Sequence, residues 1–381
     1  MSRLPEFKKG EILKVRTRPL PFSYWPMIQG KRRNELHLMI FARSPWAFIK
    51  NIINTKYNNK SKDCKIEALA YIDQAEDFYE SAKNAKIEAA KPLLIYYCFM
   101  NLIKAFIITK SEVSSLSKAR HGISVEAEEK GISVLKNQVL SIYPYSVNNQ
   151  NLFDKFGNTL ARSHYKYHKS YYIKNILSQI VAGHRIFAKA RGIREKFISI
   201  ESFNFYVDKT EKNTWIRFYI YSDDLERIDI RQKNVLVFSR LNSTFKQVKS
   251  IEKNSRRLLN FELETPLIYT QRPADKSRII VDSFRHYLWA MITSMPPYRK
   301  YYLYLVDKKE HVHLLPQLLS IYALFYYLGS VTRYQPHLFT KILNGKYGAQ
   351  IMDIINSQPN QFIYHMASEF AEQDVTQPAI V

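Results

Sequence analysis

Between residues 62 and about 82, apolar side chains recur at Ile66, Leu69, Ile72, Ala75, Phe78 and Tyr79. Steps of three and four put them on one face of a helix. Pro92 stands where the first turn of a helix tolerates proline. From there to about Lys110 the chain is apolar almost throughout, which predicts a helix buried on nearly all sides and antiparallel to the first. Residues 150–196 read as two further helices, broken near Gly183. After Phe197 the period changes. Phe203, Phe205 and Val207 alternate with polar residues, and Trp215, Arg217, Tyr219 and Tyr221 do so in part, a strand pattern. Short β-like runs follow at 235–238, 261–263, 279–281 and 301–306, with a short helix around 286–293. From Leu314 the helical spacing returns in Leu318, Leu319, Tyr322, Phe325, Tyr326 and Leu328, up to Pro336. Residues 351–370 read as a last helix.

These patterns predict an α+β fold: a helical core from the N- and C-terminal segments with a central β-rich insert. The expected division is an irregular basic segment at 1–43, a helical part at 44–196, a β-rich part at 197–310, and a C-terminal helical part at 311–381 that packs on 44–196.

Charge changes the picture. The 381 residues hold 57 Lys and Arg against 34 Asp and Glu, a formal net charge of +23. A field of that sign attracts polyanions, and nucleic acid is the commonest of these for so basic a chain. The 27 Tyr and 22 Phe could supply stacking platforms for unpaired bases. An AT-rich genome is an equally good source of Tyr, Phe, Asn, Ile and Lys, but it does not explain why acids failed to keep pace. Cys64 and Cys98 lie far apart without a partner motif, so a reducing compartment is expected. Residues 1–18 are charged and lack the apolar core of a signal peptide. The run 92–108 is interrupted by Asn101 and Lys104 and falls short of the roughly 20 residues a bilayer needs. The expected setting is cytoplasmic, without a membrane span.

Between Lys155 and Lys196 ten Lys and Arg face one acid, Glu195, after Asp154. Lys155, Arg162, Lys166, Lys169, Lys174, Arg185, Lys189, Arg191 and Arg194 are therefore the candidate nucleic-acid-binding residues, on an exposed basic helical face. No phosphate-binding glycine loop and no nucleophile elbow occurs, and no cofactor is implied. No metal site is expected. His164 and His168 are one turn apart but lack a third ligand, and His311 and His313 read as exposed histidines before Pro316. Glu128-Glu129-Lys130 resembles half of a nuclease site but lacks its upstream Asp. Arg333 is expected to hold carbonyls at a helix end. Lys104, inside the apolar helix, must snorkel out or find an anion partner, and a salt bridge to Glu67 or Asp73 on the preceding helix is the favoured reading.

Four segments carry a family likeness: Ser44-Pro45-Trp46, the run from Pro92 through Tyr96-Tyr97-Cys98-Phe99-Met100-Asn101 to Ala105, His121-Gly122-Ile123, and Thr332-Arg333-Tyr334-Gln335-Pro336. In this order and spacing the chain resembles the YaaC-like family of bacterial proteins from about 44 to 345. The resemblance implies fold continuity and a bacterial cytoplasmic setting, and carries over no catalytic residues. The helix around Tyr96 to Ala105 is also similar to the leading helix of HEPN proteins. Many of those are RNases with an Arg-x(4–6)-His motif, which Arg162 and His168 match with five residues between them. A His can act as base on a 2′-hydroxyl and an Arg can stabilise phosphorane charge, although six helical steps do not align the two.

The leading expectation is nucleic-acid binding, RNA favoured, through the helical basic face, with single-stranded DNA as a related ligand. One alternative is a HEPN-like, metal-independent RNase using Arg162 and His168, of the toxin or phage-defence kind. Another is a subunit that docks an acidic protein partner. Self-association is left open.

Overall fold

The computed structural model describes residues 4–15, 17–25, 39–57, 59–127, 135, 138–162, 168–295 and 300–378. The chain opens with short strands β1 (Glu11–Ile12), β2 (Lys14–Val15), β3 (Arg18–Pro19) and β4 (Ile40–Phe41). Helices α1 (Pro45–Lys56), α2 (Lys62–Lys83) and α3 (Lys91–Lys110) follow, then β5 (Ile123–Ala127), β6 (Gln138–Ile142), α4 (Leu152–Ala161), β7 (Ser170–Tyr172), α5 (Ile173–Ser178) and α6 (His184–Arg191). The central part comprises β8 (Phe197–Ile200), β9 (Ser202–Asp208), β10 (Asn213–Tyr221), α7 (Ser222–Arg227), α8 (Val235–Phe238), β11 (Phe245–Lys253), β12 (Arg256–Leu263), β13 (Leu267–Ile268), α9 (Lys276–Met291), β14 (Ile292–Met295) and β15 (Lys300–Tyr304). The chain closes with α10 (Gln317–Tyr334), α11 (Pro336–Leu343), α12 (Gly348–Ala371) and β16 (Val375–Thr376). This is the expected α+β fold, with terminal helical segments flanking a β-rich centre.

Two compact units result, one of residues 41–193 with 313–381, the other of residues 1–40 with 194–312. In the first, helical unit, Ser44 caps α1 by accepting from Ala47 N at 3.2 Å, and Ser61 caps α2 through Cys64 N at 3.2 Å. Each satisfies an orphan amide of a first turn. The pairs Phe78–Tyr97, Gln74–Asn101 and Tyr71–Lys104 run in opposite senses along α2 and α3, so the two helices are antiparallel. Helix α3 is the axis of the unit. Phe99 meets Phe325 of α10 at 5.1 Å and stacks on Phe362 of α12 at 3.9 Å. Phe106 meets Phe156 of α4 and Phe370 of α12. A Cβ at Gly329 of α10 would stand 3.3 Å from Tyr96 Cβ, so glycine lets the two helices cross closely. Phe99 and Ile103 of α3 and Leu319, Tyr322 and Phe325 of α10 are fully buried, while Leu94 and Tyr97 of α3 stay half-buried.

Residues 88–110 are long and apolar enough to cross a membrane, but 72% of an apolar 18-residue stretch within them is buried inside the protein. Length therefore does not exclude a span, contrary to the expectation from 92–108; burial marks α3 as a core helix.

The β-rich unit is built on an antiparallel sheet in the order β1-β9-β10-β12-β11, with β13 beside the start of β10. A second sheet runs β14-β15-β8. Three readings of the pattern are corrected here. Residues 235–238 are helical (α8), and 279–281 lie inside α9. Both are short apolar runs whose period alone cannot separate helix from strand. The stretch 150–196 is not two helices but α4, β7, α5 and α6, and β7 completes a sheet with β5 and β6.

The N-terminal segment, expected to be irregular, is pinned to the main sheet by a buried carboxylate. Glu262 on β12 is fully buried and accepts from Arg217 Nε at 3.0 Å, from Lys8 Nζ at 3.2 Å and from the Lys8 backbone amide at 3.2 Å. The Arg217 guanidinium lies 4.1 Å over the Tyr206 ring. Removing one partner of such a pair strands the others without compensation. Glu262→Ala is expected to cost about 3–5 kcal/mol in urea unfolding. A loss below about 1 kcal/mol, the size of an exposed pair, would show that the carboxylate does not hold this sheet.

Candidate anion-binding site

The predicted basic residues do not share one helical face. Lys155 on α4 lies 5.1 Å over the Tyr145 ring, Lys174 on α5 lies 4.7 Å over Tyr172, and Arg191 on α6 lies 5.8 Å over Phe187. Lys169 precedes β7, and Arg185 and Lys189 are exposed on α6. Arg194 belongs to the β-rich unit and pairs with Asp229. Ser163, His164 and Lys166 lie outside the described residues, as do Glu128, Glu129 and Lys130.

Arg162 and His168 make different contacts. Arg162 ends α4 in the left-handed region (φ 53°), and its guanidinium meets Glu372 at 3.1 Å. Lys110 reaches the same carboxylate at 3.0 Å and Lys56 at 3.7 Å. Burial alone would raise the Glu372 carboxyl, but Lys110, Arg162 and Lys56 overcome it and hold it at about 2. Burial wins on Lys110, which is lowered to about 8. His168 instead stacks on His313 with ring centroids 3.4 Å apart, and its backbone amide donates to the Tyr171 hydroxyl. Residues 308–310 form a 3-10 turn and His311 is left-handed (φ 49°), so His311 leaves a turn rather than a strand. Among the described residues, no three His, Cys, Asp or Glu side chains gather as a metal site would need.

A different cluster forms on the helical unit. Tyr97 and Lys104 stand seven residues apart on α3, and Tyr326 and Arg333 seven apart on α10, so each pair shares a helix face. Between them comes His121, in the turn before β5. Gly122 makes that turn possible. Its φ is +71°, and a Cβ there would stand 2.8 Å from Asn151 Cβ. The Tyr96 hydroxyl and His121 Nδ1 are 2.5 Å apart, and the His121 ring lies 5.7 Å from those of Tyr96 and Tyr326. Tyr96 stacks on Tyr322 at 5.7 Å. Arg333 donates to the Tyr97 hydroxyl at 3.2 Å and lies 5.1 Å from the Tyr334 ring. It therefore does not hold helix-end carbonyls as expected.

Lys104 also departs from expectation, since neither carboxylate pairs with it. Asp73 pairs with Lys50 at 2.7 Å, and Glu67 accepts from Ser115 Oγ and Leu116 N. The Lys104 ammonium lies 4.9 Å over the Tyr71 ring. Burial lowers its pKa, with Glu67 opposing at longer range. Burial also lowers the His121 pKa, and the charges of Lys104 and Arg333 lower it further. The imidazole is thus neutral near pH 7, a polar group beside two cations. None of the three side chains makes an ion pair among the described residues.

Three of the four segments that carry the family likeness meet at this cluster: the α3 run, His121-Gly122-Ile123, and the end of α10. The fourth, Ser44-Pro45-Trp46, starts α1, where Trp46 packs 5.9 Å from Tyr79. The family described as YaaC-like Protein matches residues 32–370. The chain belongs to the YaaC-like family. No curated protein and no solved structure is similar enough to match. For this YaaC-like chain, sequence reasoning had singled out each segment of the cluster without joining them. The usable signal was the pair of seven-residue spacings, 97 to 104 and 326 to 333, each ending in a cation.

The Glu372 cluster gives a pH prediction. The free carboxyl titrates near 4.5 and the folded one near 2, so its contribution is whole above about pH 5 and is lost as pH falls from 4.5 toward 2. Glu372→Gln should melt below wild type at pH 7, and the gap should close across that acid window. A gap that stays constant down to pH 2 would mean that the carboxylate charge does not hold the cluster.

Proposed function

We propose that this YaaC-like protein binds nucleic acid, RNA favoured, and grips a backbone phosphate between Lys104, His121 and Arg333. One observation carries the reading: two cations and a neutral imidazole gather on one side of the helical unit with no ion-paired carboxylate. At Glu262 and Glu372, by contrast, the cations gather around an acid. An unbalanced cationic cluster is completed by an anion, and a phosphate accepts from guanidinium, ammonium and imidazole N–H together. If the Tyr96 hydroxyl donates to Nδ1, Nε2 of His121 carries the hydrogen and serves as that third donor. Tyr97, Tyr326 and Tyr334 line the approach with aromatic surface for unpaired bases. Lys155, Lys169, Lys174, Arg185, Lys189 and Arg191 add to the field around the strand. Two buried free cysteines fit a reducing, cytoplasmic setting. Cleavage by Arg162 and His168 gains no support from their separate contacts and forms no part of the proposal.

Titrating labelled single-stranded RNA at several salt concentrations tests this. Each phosphate contact on a single strand contributes about −0.7 to the log–log salt slope. Lys104→Met with Arg333→Met should weaken binding and make the slope shallower by about 1.4. Lys308→Met with Lys309→Met, on the β-rich unit, should change it far less. Equal effects from both pairs would leave only diffuse positive charge. Binding to an acidic polypeptide but not to RNA would replace the nucleic acid with a protein partner.

A further inference from the structure

The face of α10 next to the cluster walls a cavity. At about 100° per residue, Tyr326 and Arg333 fall on one line of the helix, while Ser330, Tyr334 and Val331 stand about 40°, 80° and 140° round from Tyr326. The second group lines a cavity of about 220 Å³, faced by Val125 of β5 and Gln138 of β6. Two contacts join this cavity to the cluster. Tyr326, whose ring lies near His121, shares a hydrogen bond with Ser330. Arg333 lies beside the ring of Tyr334, which is 70% exposed at the cavity rim.

The cavity is smaller than a drug-sized pocket of roughly 300–1,000 Å³ and suits a single planar ring system. Val125 and Val331 give it apolar walls. Gln138 and Gln335 are among its lining residues, and each carries an amide that can both donate and accept. Tyr334 offers a free aromatic face. Apolar walls, an amide edge and an aromatic rim are the chemistry that recognises an unstacked base. We infer that this cavity takes the base of one nucleotide whose phosphate sits on Arg333, His121 and Lys104. The site then holds a nucleoside monophosphate unit, either free or as the end of an RNA strand. The adjacent residues Arg333 and Tyr334 set the phosphate grip beside the base stack. This inference rests on the phosphate-binding role proposed above for the cluster.

Calorimetry on the full chain with inorganic phosphate, AMP, GMP, CMP and UMP tests it. At least one nucleotide should bind about ten-fold or more tighter than inorganic phosphate, a difference a single stacked base can supply. Val331→Trp should fill the cavity and abolish that advantage while phosphate binds as in wild type. Tyr334→Ala, which cannot overpack the fold, should reduce the advantage by about five-fold or more. RNA oligonucleotides with and without a terminal phosphate separate the two sources. Competition by the phosphorylated end alone assigns the site to a strand end, and tight binding of the free nucleotide assigns it to the small molecule. Inorganic phosphate binding as tightly as every nucleotide, or an advantage untouched by both variants, overturns the base cavity and leaves the RNA reading standing. Loss of phosphate and RNA binding together in folded wild-type protein overturns the cluster itself.

Discussion

A helix that is apolar on nearly every side can be stable in water only if other elements enclose it, and α3 imposes that demand on the helical unit. Its backbone polar groups are satisfied internally, so the cost falls on its side chains, and α2, α4, α10 and α12 supply the cover. Enclosure cannot be complete, because Lys104 sits near the middle of the helix. A charge buried without a partner costs several kcal/mol or more, so a lysine in such a place keeps its ammonium toward water. The unit meets this with a window. Tyr71 of α2 lies under the ammonium, and the covering helices leave that side open. His121 and Arg333 reach the same window from the turn before β5 and from the end of α10, so the place where packing must stop is also where the cations collect.

Three polar groups of like tendency held together work against stability unless one is neutral or packing holds them. Both conditions are met. Burial and its two cationic neighbours keep His121 uncharged near neutral pH. The rings of Tyr96, Tyr322 and Tyr326 interlock beside it at 5.4–5.7 Å. The arrangement differs from the other cationic clusters of the chain. At Glu262 and at Glu372 a carboxylate is the hub, and the lysines and arginines around it knit distant segments together. Those hubs satisfy themselves; the His121 cluster does not.

Much of the fold was legible because long periodic helices declare themselves. The expected helices at 62–82 and 92–110 differ from α2 and α3 by a residue at most, since Ser61 and Pro92 mark their starts and the 3.6-residue period fills the rest. Short elements were not legible. The strands β5, β6 and β7 bury their residues against one another and against α5 and α10, and nothing within a five-residue window announces such pairing. The four residues of α8 carry the same composition as a strand. The site failed to show for a related reason. Arg162 meets Glu372 across 210 positions, and His121 meets Tyr96 only because Gly122 turns the chain. Basic density along the sequence picked out 155–196, but density along a chain is not proximity in space, and that stretch spreads over four elements.

Packing accounts for most of what the three convergent segments contain. Tyr96 and Phe99 fill space between helices, Gly329 lets α10 approach α3, and Gly122 adopts a backbone that a side chain would strain. Packing does not account for Lys104 or Arg333. Methionine at 104 would fill a similar volume and remove the desolvation cost of an ammonium half-sunk in an apolar helix. A tyrosine hydroxyl such as that of Tyr97 needs no guanidinium, because it is half-exposed and water can serve it. A chain that carries cations at both positions, with no carboxylate ion-paired to either, is less stable than it could be at one definite place. Natural proteins accept that kind of local cost at functional sites, which puts the weight of the functional reading on this window rather than on the basic stretch the sequence made conspicuous.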